Sequence, residues 1–304
     1  MKNVLVVGGS MFTGRVFSIK ASRDGRFMLH VVNRGNYPMD LERVIQYKSD
    51  RHDMGKISSI TQNIVYDAIV DFCAYEPGDI EPLIETLSGR VKQYIFFSTA
   101  SVCVPGGGFL DESAPLINTL GNANDPTDAY IRNKILLEHE LFRASEKAGI
   151  CCTILRPTFI YGPFNYAPRE SFFIELIAKK RAVPFPADAS SRFNFVYVLD
   201  IAAALMECIG DEKSYGGIFN LAGTEAVTYP ILMRELEHCN GSAFETREVT
   251  VEQAEKENIP LPFPLTGDTL VDGSKFSRAF GLSYTPFSEG MKKTFEVFYS
   301  IYAT

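Results

Sequence analysis

The apolar run Asn3-Val4-Leu5-Val6-Val7 leads directly into Gly8-Gly9-Ser10-Met11-Phe12-Thr13-Gly14, and this junction constrains the fold more than any other part of the chain. A short apolar run stopped by turn residues reads as a buried strand. Glycine allows the tight turn that follows, because it adopts positive φ without steric penalty. From Phe12 to Arg23 the residues Phe12, Val16 and Ile19 have helix-like spacing. Strand, glycine turn and helix start together form a cradle for an anion: backbone N–H groups and the positive end of the helix dipole face the same point. Glycines after a first strand also occur as plain turn formers, so the motif alone leaves both readings open.

The alternation continues along the chain. Leu29 to Val32 is a second β-rich run, stopped by Asn33-Arg34-Gly35. Ile64 to Phe72 and Tyr94 to Phe97 read as further buried strands, with a helical segment from Pro77 to Leu87 between them. Asp128 to Lys147 is a long amphipathic helix with Ile131, Ile135, Leu137 and Leu141 on or near one face; Gly149 ends it and Ile150 to Leu155 resumes a strand. Strands separated by helices of crossover length predict a mostly parallel sheet covered on both faces. Beyond Arg156 the pattern loosens into a helix over Glu170 to Arg181, β character at Phe193 to Val198, a helix over Asp200 to Ile209 and a strand at Ile218 to Leu221. From Thr224 onward, helices and the proline-rich turns at Pro260, Pro262 and Pro264 suggest a smaller lobe.

Three places carry residues suited to chemistry. Asn33-Arg34 closes the second strand, where a dinucleotide-binding unit for NAD usually has an acidic residue for the ribose hydroxyls. An arginine there suits a 2′-phosphate and can stack on adenine, which favours NADP over NAD; a solvated surface charge is the competing reading. Asp50 follows the presumed third strand, within reach of an adenine amino group or simply in a solvated turn. Tyr130 and Lys134 stand four residues apart, on one helix face. An ammonium beside a phenol favours phenolate, so the pair suits proton exchange near neutral pH. Ser98 and Thr99 lie at the C-terminal end of the Tyr94-to-Phe97 strand, the edge at which doubly wound sheets bind ligands.

Charge and composition narrow the partners. With 30 basic and 37 acidic residues among 304, the net charge is −7, which weighs against nucleic acid. The six cysteines show no metal-ligand spacing and read as reduced core thiols of a cytoplasmic protein. His30, His52, His139 and His238 are scattered, so no metal site is expected. No apolar run approaches the roughly 18 residues of a membrane span.

Taken in order, several motifs make the chain recognisable. They are the glycine turn, Ser98-Thr99-Ala100-Ser101-Val102, Tyr130-x-x-x-Lys134, Leu155 to Pro163 (LRPTFIYGP), Phe195 to Ala202 (FVYVLDIA), Phe219-Asn220-Leu221, and Val271-Asp272-x-x-Lys275 before Phe280-Gly281-Leu282. The whole chain resembles the extended short-chain dehydrogenase/reductase superfamily, of the NAD-dependent epimerase/dehydratase type. The Gly-Gly-Ser-Met-Phe-Thr-Gly loop, Asn33-Arg34-Gly35 and Asp50-Arg51-His52-Asp53 resemble a divergent branch that includes chloroplast stem-loop-binding proteins. The resemblance implies an α/β fold: a Rossmann-type doubly wound parallel sheet with a smaller C-terminal substrate lobe. The dinucleotide-binding domain is expected over residues 1–164 plus 193–223, and a discontinuous substrate lobe over 165–192 plus 224–304. Thr99, Tyr130 and Lys134 are implied as the catalytic set, with Tyr130 the acid/base, Lys134 lowering its pKa and holding the nicotinamide ribose, and Thr99 aligning substrate. Cofactor contacts are implied at Gly8, Ser10, Met11, Phe12, Thr13, Asn33, Arg34, Asp50, Arg51, Ala74, Ser98, Pro157 and Ile160, besides Tyr130 and Lys134. A homodimer through the helices after Pro77 and around Tyr130 is implied as well.

Three departures shape the functional expectation. Met11 stands where the superfamily usually has its middle glycine. Ala100 and Ser101 replace the Asp-Glu pair of many sugar dehydratases, so dehydration is disfavoured. Phe193 stands where nucleotide-sugar enzymes often have an arginine, which weakens the case for a sugar-nucleotide substrate. Phe164, Asn165, Tyr166, Arg169, Phe185, Arg192 and Arg278 are candidate liners of the substrate side. The leading expectation is an NAD(P)-dependent epimerase or reductase acting by hydride transfer on a small hydroxyl- or carbonyl-bearing substrate, with sugar-derived molecules among the candidates. The alternatives are a nucleic-acid-binding protein and a cofactor sensor without turnover, both on the same fold.

Overall fold

The computed structural model describes residues 1–118 and 125–303. The first half alternates strand and helix: β1 (Lys2–Val7), α1 (Phe12–Arg23), β2 (Phe27–Asn33), β3 (Val44–Lys48), α2 (Met54–Thr61), β4 (Ala68–Asp71), α3 (Glu81–Thr86), β5 (Gln93–Phe97) and α4 (Pro126–Ala148). There follow β6 (Cys151–Pro157), β7 (Phe159–Tyr161), α5 (Glu170–Ala178), β8 (Val183–Pro186), β9 (Phe195–Tyr197), α6 (Val198–Cys208) and β10 (Gly217–Leu221). The chain ends with α7 (Tyr229–Asn240), β11 (Thr246–Val249), α8 (Val251–Lys256), α9 (Ser274–Phe280) and α10 (Phe287–Tyr302).

Seven strands make one sheet in the order β10-β6-β5-β4-β1-β2-β3, with every neighbouring pair parallel. Strand-by-strand alternation sorts side chains to two covers. Val4 and Val6 of β1 join Val16, Phe17 and Ala21 of α1 and Ile201 and Leu205 of α6. Leu5 and Val7 join Leu83 and Ile84 of α3 and Leu137 and Leu141 of α4. Both faces of the sheet are buried in this way, as an all-parallel sheet requires. The winding reverses between β1 and β4, and at such a reversal a crevice opens beyond the C-terminal strand ends. The ends of β1, β4 and β5 all lie there.

Several elements differ in extent from the sequence expectation. The run from Ile64 yields a strand only at Ala68–Asp71, because Tyr66 meets its neighbour through a single bridge to Val91. The helix expected from Pro77 starts at Glu81, after the turn that the Glu140 carboxylate holds through Gly78, Ile80 and Glu81 N–H groups. The α4 helix begins two residues early, at Pro126, because Asp125 caps it by accepting from the N–H groups of Thr127 and Asp128. Residues 159–161 form β7 and pair with β9, and β8 pairs with β11; both small sheets lie outside the main one. Helix α10 packs on α5 and α7.

The Gly9–Gly14 contact sets how closely α1 approaches the first turn. A Cβ on Gly14 would stand 2.6 Å from Gly9 Cα, against backbone that cannot swing aside, whereas one on Gly25 would meet nothing within 4 Å. Gly14→Ala is expected to destabilise the protein by about 1–3 kcal/mol and Gly25→Ala to stay within about 0.5 kcal/mol. Urea unfolding of both variants checks this, and equal midpoints would remove the contact as a constraint.

Candidate active site

The glycine turn is built for close backbone approach. Gly8 and Gly9 have φ of 92° and 73°, and the Gly8 N–H donates to Val32 O at 2.9 Å, tying the end of β1 to β2. Met11 is extended (φ −130°, ψ 151°), gives α1 no side-chain cap and is 43% exposed. The third positive φ of the loop falls on Phe12, at 36°. The loop therefore accommodates Met11 by pointing its side chain outward and placing the unusual backbone angle one residue later. The first N–H groups of α1 have no side-chain cap, which suits an anion at that end. Thr13 is buried and Ser10 half-buried beside it.

At the end of β2, Asn33 is buried and stitches the rim together: its Nδ2 donates to Gly8 O at 3.3 Å, and its Oδ1 accepts from Gly35 N–H and Gln46 Nε2. Arg34 is exposed. The Asp50 carboxyl is held below its ordinary range by the backbone N–H of His52, with the His52 ring and the Arg34 charge adding to the effect. Arg51 turns inward. Its guanidinium makes two 3.1 Å bonds to Asp71 and a 2.6 Å bond to Asp79 O, so it reaches the crevice through these partners and not as a free cation. Burial opposes its charge and Asp71 more than restores it.

Thr99, Tyr130 and Lys134 come together above the ends of β4 and β5. Lys134 is 2% exposed, and its Nζ donates to Ala74 O and Phe97 O at 2.9 Å each. The ring centres of Phe96, Tyr75 and Tyr130 lie 4.7, 4.9 and 5.7 Å from that nitrogen. Burial pulls the ammonium down to about 8, against the pull of Asp71. Tyr130 keeps 39% of its surface open. The protein packed around it pushes its phenol above the ordinary value, while the Arg169 charge and a hydrogen bond with the Thr99 hydroxyl act the other way. The expected lowering of that phenol by Lys134 is not found, because the ammonium is engaged by two backbone carbonyls. Thr99 also caps the short 3-10 turn Ala100–Val102 through Ser101 N–H.

Other residues named from the sequence have structural partners here. Ser98 is buried and donates to Glu138 Oε1 at 2.6 Å. Ala74 is fully buried and contributes its carbonyl, Pro157 ends β6 in the interior, and Ile160 joins the core on the α1 side of the sheet. Phe193 is fully buried, stacked on Phe263 at 5.1 Å and edge-on to Phe195 at 5.6 Å. Arg192 pairs with Asp268 outside that aromatic core, and Arg278 donates to Ser274. Residues 163–169 cross near the glycine turn: Tyr166 meets Phe12 edge-on at 6.3 Å, and Arg15 lies over Phe164 at 5.7 Å. Arg169 lies over the Phe159 ring at 5.7 Å, and no carboxylate among the described residues forms an ion pair with it.

Two buried ion pairs went unnoticed in the sequence. Arg156 binds Glu138 with both side chains at most 3% exposed, and Arg51 binds Asp71. An arginine within the largely apolar CCTILRP strand and an aspartate ending AIVD were the available signals.

The comparisons agree with this architecture. Residues 81–222 match the model of the NAD dependent epimerase/dehydratase family. The chloroplast stem-loop binding protein of 41 kDa b from Arabidopsis thaliana is 28% identical over 254 residues, 79% of this chain and 64% of that protein. UDP-glucose 4-epimerase from Vibrio cholerae is 26% identical over 159 residues, 52% of this chain and 47% of that one. The chain thus spans less than two thirds of the length of either relative. UDP-glucuronic acid 4-epimerase from Bacillus cereus, solved with UDP-glucuronic acid and NAD, has the same fold at a TM-score of 0.79 and 17% identity, over 99% of this chain and 100% of that one. The chain has the fold of the extended short-chain dehydrogenases/reductases and carries the NAD-dependent epimerase/dehydratase sequence pattern across residues 81–222.

The Lys134 ammonium links stability to pH. Its value of about 8 lies below the roughly 10.4 of an unfolded lysine, so the unfolded chain binds more protons between these values. The folded state carries the full penalty below pH 8 and loses it as pH rises through 10.4. The stability of the parent relative to Lys134→Met should therefore rise by about 3 kcal/mol across that window. Urea titrations at several pH values measure it, and a flat difference would mean that the ammonium is not desolvated.

Proposed function

We propose that this chain is an NAD(P)-dependent epimerase or reductase acting on a small, sugar-derived substrate that bears a hydroxyl or carbonyl group. The observation that carries this reading is the convergence of Thr99, Tyr130 and Lys134 on the sheet edge that also holds the uncapped glycine turn. A nicotinamide dinucleotide fits these residues: the turn and the first N–H groups of α1 suit its pyrophosphate, Arg34 and Asp50 its adenosine end, and Lys134 its second ribose. When bound, it supplies the hydride acceptor or donor.

The chain's own residues handle the proton. In the reducing direction, Tyr130 Oη gives its proton to the carbonyl oxygen; in the oxidising direction, it takes the proton of the hydroxyl. Thr99, whose hydroxyl lowers the pKa of the phenol, orients the same oxygen. Because its pKa is raised, the resting phenol is protonated throughout the neutral range and stands ready as an acid. Ala100 and Ser101 offer no carboxyl group for water elimination, which leaves epimerisation or reduction. Arg169 brings positive charge to the phenol and is the cation we assign to the substrate side.

Arg34 favours a 2′-phosphate, and hence NADP. The six thiols are free, which fits a reducing compartment such as the cytoplasm. No helix among the described residues is long and apolar enough to cross a membrane. The exposed Leu136 and Phe142 on α4 support a homodimer through that helix. Stem-loop RNA binding is the second reading, favoured by identity with the Arabidopsis protein and opposed by the net charge of −7.

The test is calorimetric binding of NADPH and NADH, followed by turnover against a panel of keto and hydroxy sugars. Tyr130→Phe should lower kcat by about 10²–10⁴ and leave cofactor affinity within about twofold. Carbonyl reduction should be flat through neutral pH and fall on the alkaline side, and hydroxyl oxidation should rise with pH. Undiminished turnover by Tyr130→Phe would refute its role. Arg34→Ala should weaken NADPH binding about tenfold, or 1.4 kcal/mol, more than NADH binding; equal losses would remove Arg34 as the selector.

A further inference from the structure

Arg51 occupies an unusual position for a charge. Its side chain is only 10% exposed, beneath the turn that leaves β4. It holds two carboxylates at once, and each of these grips that turn. Nη1 and Nη2 bond Asp71 at 3.1 Å each, and Asp71 Oδ1 accepts from Cys73 N–H at 2.9 Å. Nη2 also bonds Asp79 O at 2.6 Å and Nε stands 3.4 Å from Asp79 Oδ1, while Asp79 Oδ2 accepts from Tyr75 N–H at 2.8 Å and Glu76 N–H at 3.0 Å. Tyr94 closes the far side with a 2.5 Å bond to Asp71. Between the two anchored points lies Ala74, whose carbonyl receives Lys134 Nζ, and Tyr75, whose ring faces the same ammonium.

A buried ion pair adds little net stability compared with apolar packing, so a fold gains little stability from such a pair alone. What it does impose is geometry, since neither charge tolerates losing its partner in a dry site. We propose that Arg51 is a positioning residue for Lys134: by clamping Asp71 and Asp79 it fixes the 73–76 turn and so places the carbonyl and ring that hold the Lys134 ammonium. The clamp also sets the charges that Lys134 faces. These are Asp71 and Arg51 from the sheet edge, Cys73 from the turn and Glu138 from its own helix. Glu138 is neutralised by Arg156, and burial pushes the Cys73 thiol up to about 12. Asp71 and Arg51 therefore remain as opposed influences of a single device, one favouring the ammonium and the other disfavouring it.

A charge-conserving change separates positioning from a purely electrostatic effect. Lys134 titration is read in the cofactor-free protein as the pH at which the stability difference between a background and the same background carrying Lys134→Met changes. The parent midpoint is expected near pH 8. Arg51→Lys keeps the positive charge but cannot grip both carboxylates, so the Ala74 carbonyl should be held less well against the ammonium and the midpoint should fall by at least half a unit. Asp79→Asn, which loosens the turn without removing Asp71 or Arg51, should move it the same way. An Arg51→Lys midpoint at the parent value would mean that Arg51 acts through its charge alone, and stability losses with no shift in either variant would mean a purely structural role; either result overturns the proposal. If Arg51→Lys does not fold, Asp79→Asn still gives the sign.

The proposal rests on the functional reading above only in giving Lys134 a task. NADPH affinity measured across the same pH range keeps the two apart. It should follow the shifted midpoint in each variant. A midpoint that shifts while affinity stays independent of Lys134 retains the clamp and sinks the assigned task. An affinity that depends on Lys134 with no shift on changing Arg51 does the reverse.

Discussion

The arrangement at the crevice depends on one buried ammonium. Lys134 projects from α4 into the gap between the ends of β4 and β5, and its Nζ bonds one carbonyl from each exit, Ala74 and Phe97. A charge in that position is tolerated only with good partners, and here these are two carbonyl dipoles and three aromatic faces. The consequence is mechanical as well as electrostatic. The same bonds tie α4 to the two strand exits, and Tyr130, one turn earlier, lies within the influence of Thr99. Glu138, one turn later, repeats the device deeper inside by binding Arg156 and Ser98. Three successive turns of one helix thus present phenol, ammonium and carboxylate to the strand ends, grading from open crevice to dry core.

The sheet and its covers were legible in the sequence because burial on both faces leaves continuous apolar runs. LHVV and YIFF announce strands, and the 23-residue α4 announces itself by its repeating apolar face. Element ends were less legible because polar contacts set them. The Asp125 cap and the Glu140 carboxylate under residues 78–81 each moved a boundary by several residues or fewer. The short sheets were missed for a different reason: β8 and β11 are four residues each and pair across some sixty positions, and β8 contains prolines that read locally as turns.

The candidate site was legible in its residue types and less so in their states. Glycines, Thr99, Tyr130 and Lys134 could be placed from spacing and strand ends. What spacing cannot give is the partner of each charge. Tyr130 and Lys134 at i, i+4 suggest mutual influence, yet the ammonium finds carbonyls first and the phenol answers to Thr99 and Arg169 instead. Arg51 is implied by resemblance as a cofactor contact, and only the fold reveals Asp71 twenty positions away as its partner. Long-range pairing of this kind leaves no local pattern.

The aromatic core decides where positive charge can stand beside the crevice. Phe193 sits with Phe159, Phe195 and Phe263, rings 5.0–6.3 Å apart in tilted, stacked and edge contacts that favour a fixed arrangement. A guanidinium inserted there in place of Phe193 would need a carboxylate that none of these neighbours supplies. Positive charge reaches the crevice by another route, from Arg169 seated over the outer ring of the same cluster. A cation on a ring keeps its donors free along its edge. The aromatic core thus acts as a pedestal: it leaves no room for a buried cation at Phe193 and holds Arg169 over its outer ring, from where the guanidinium charge acts on the Tyr130 phenol.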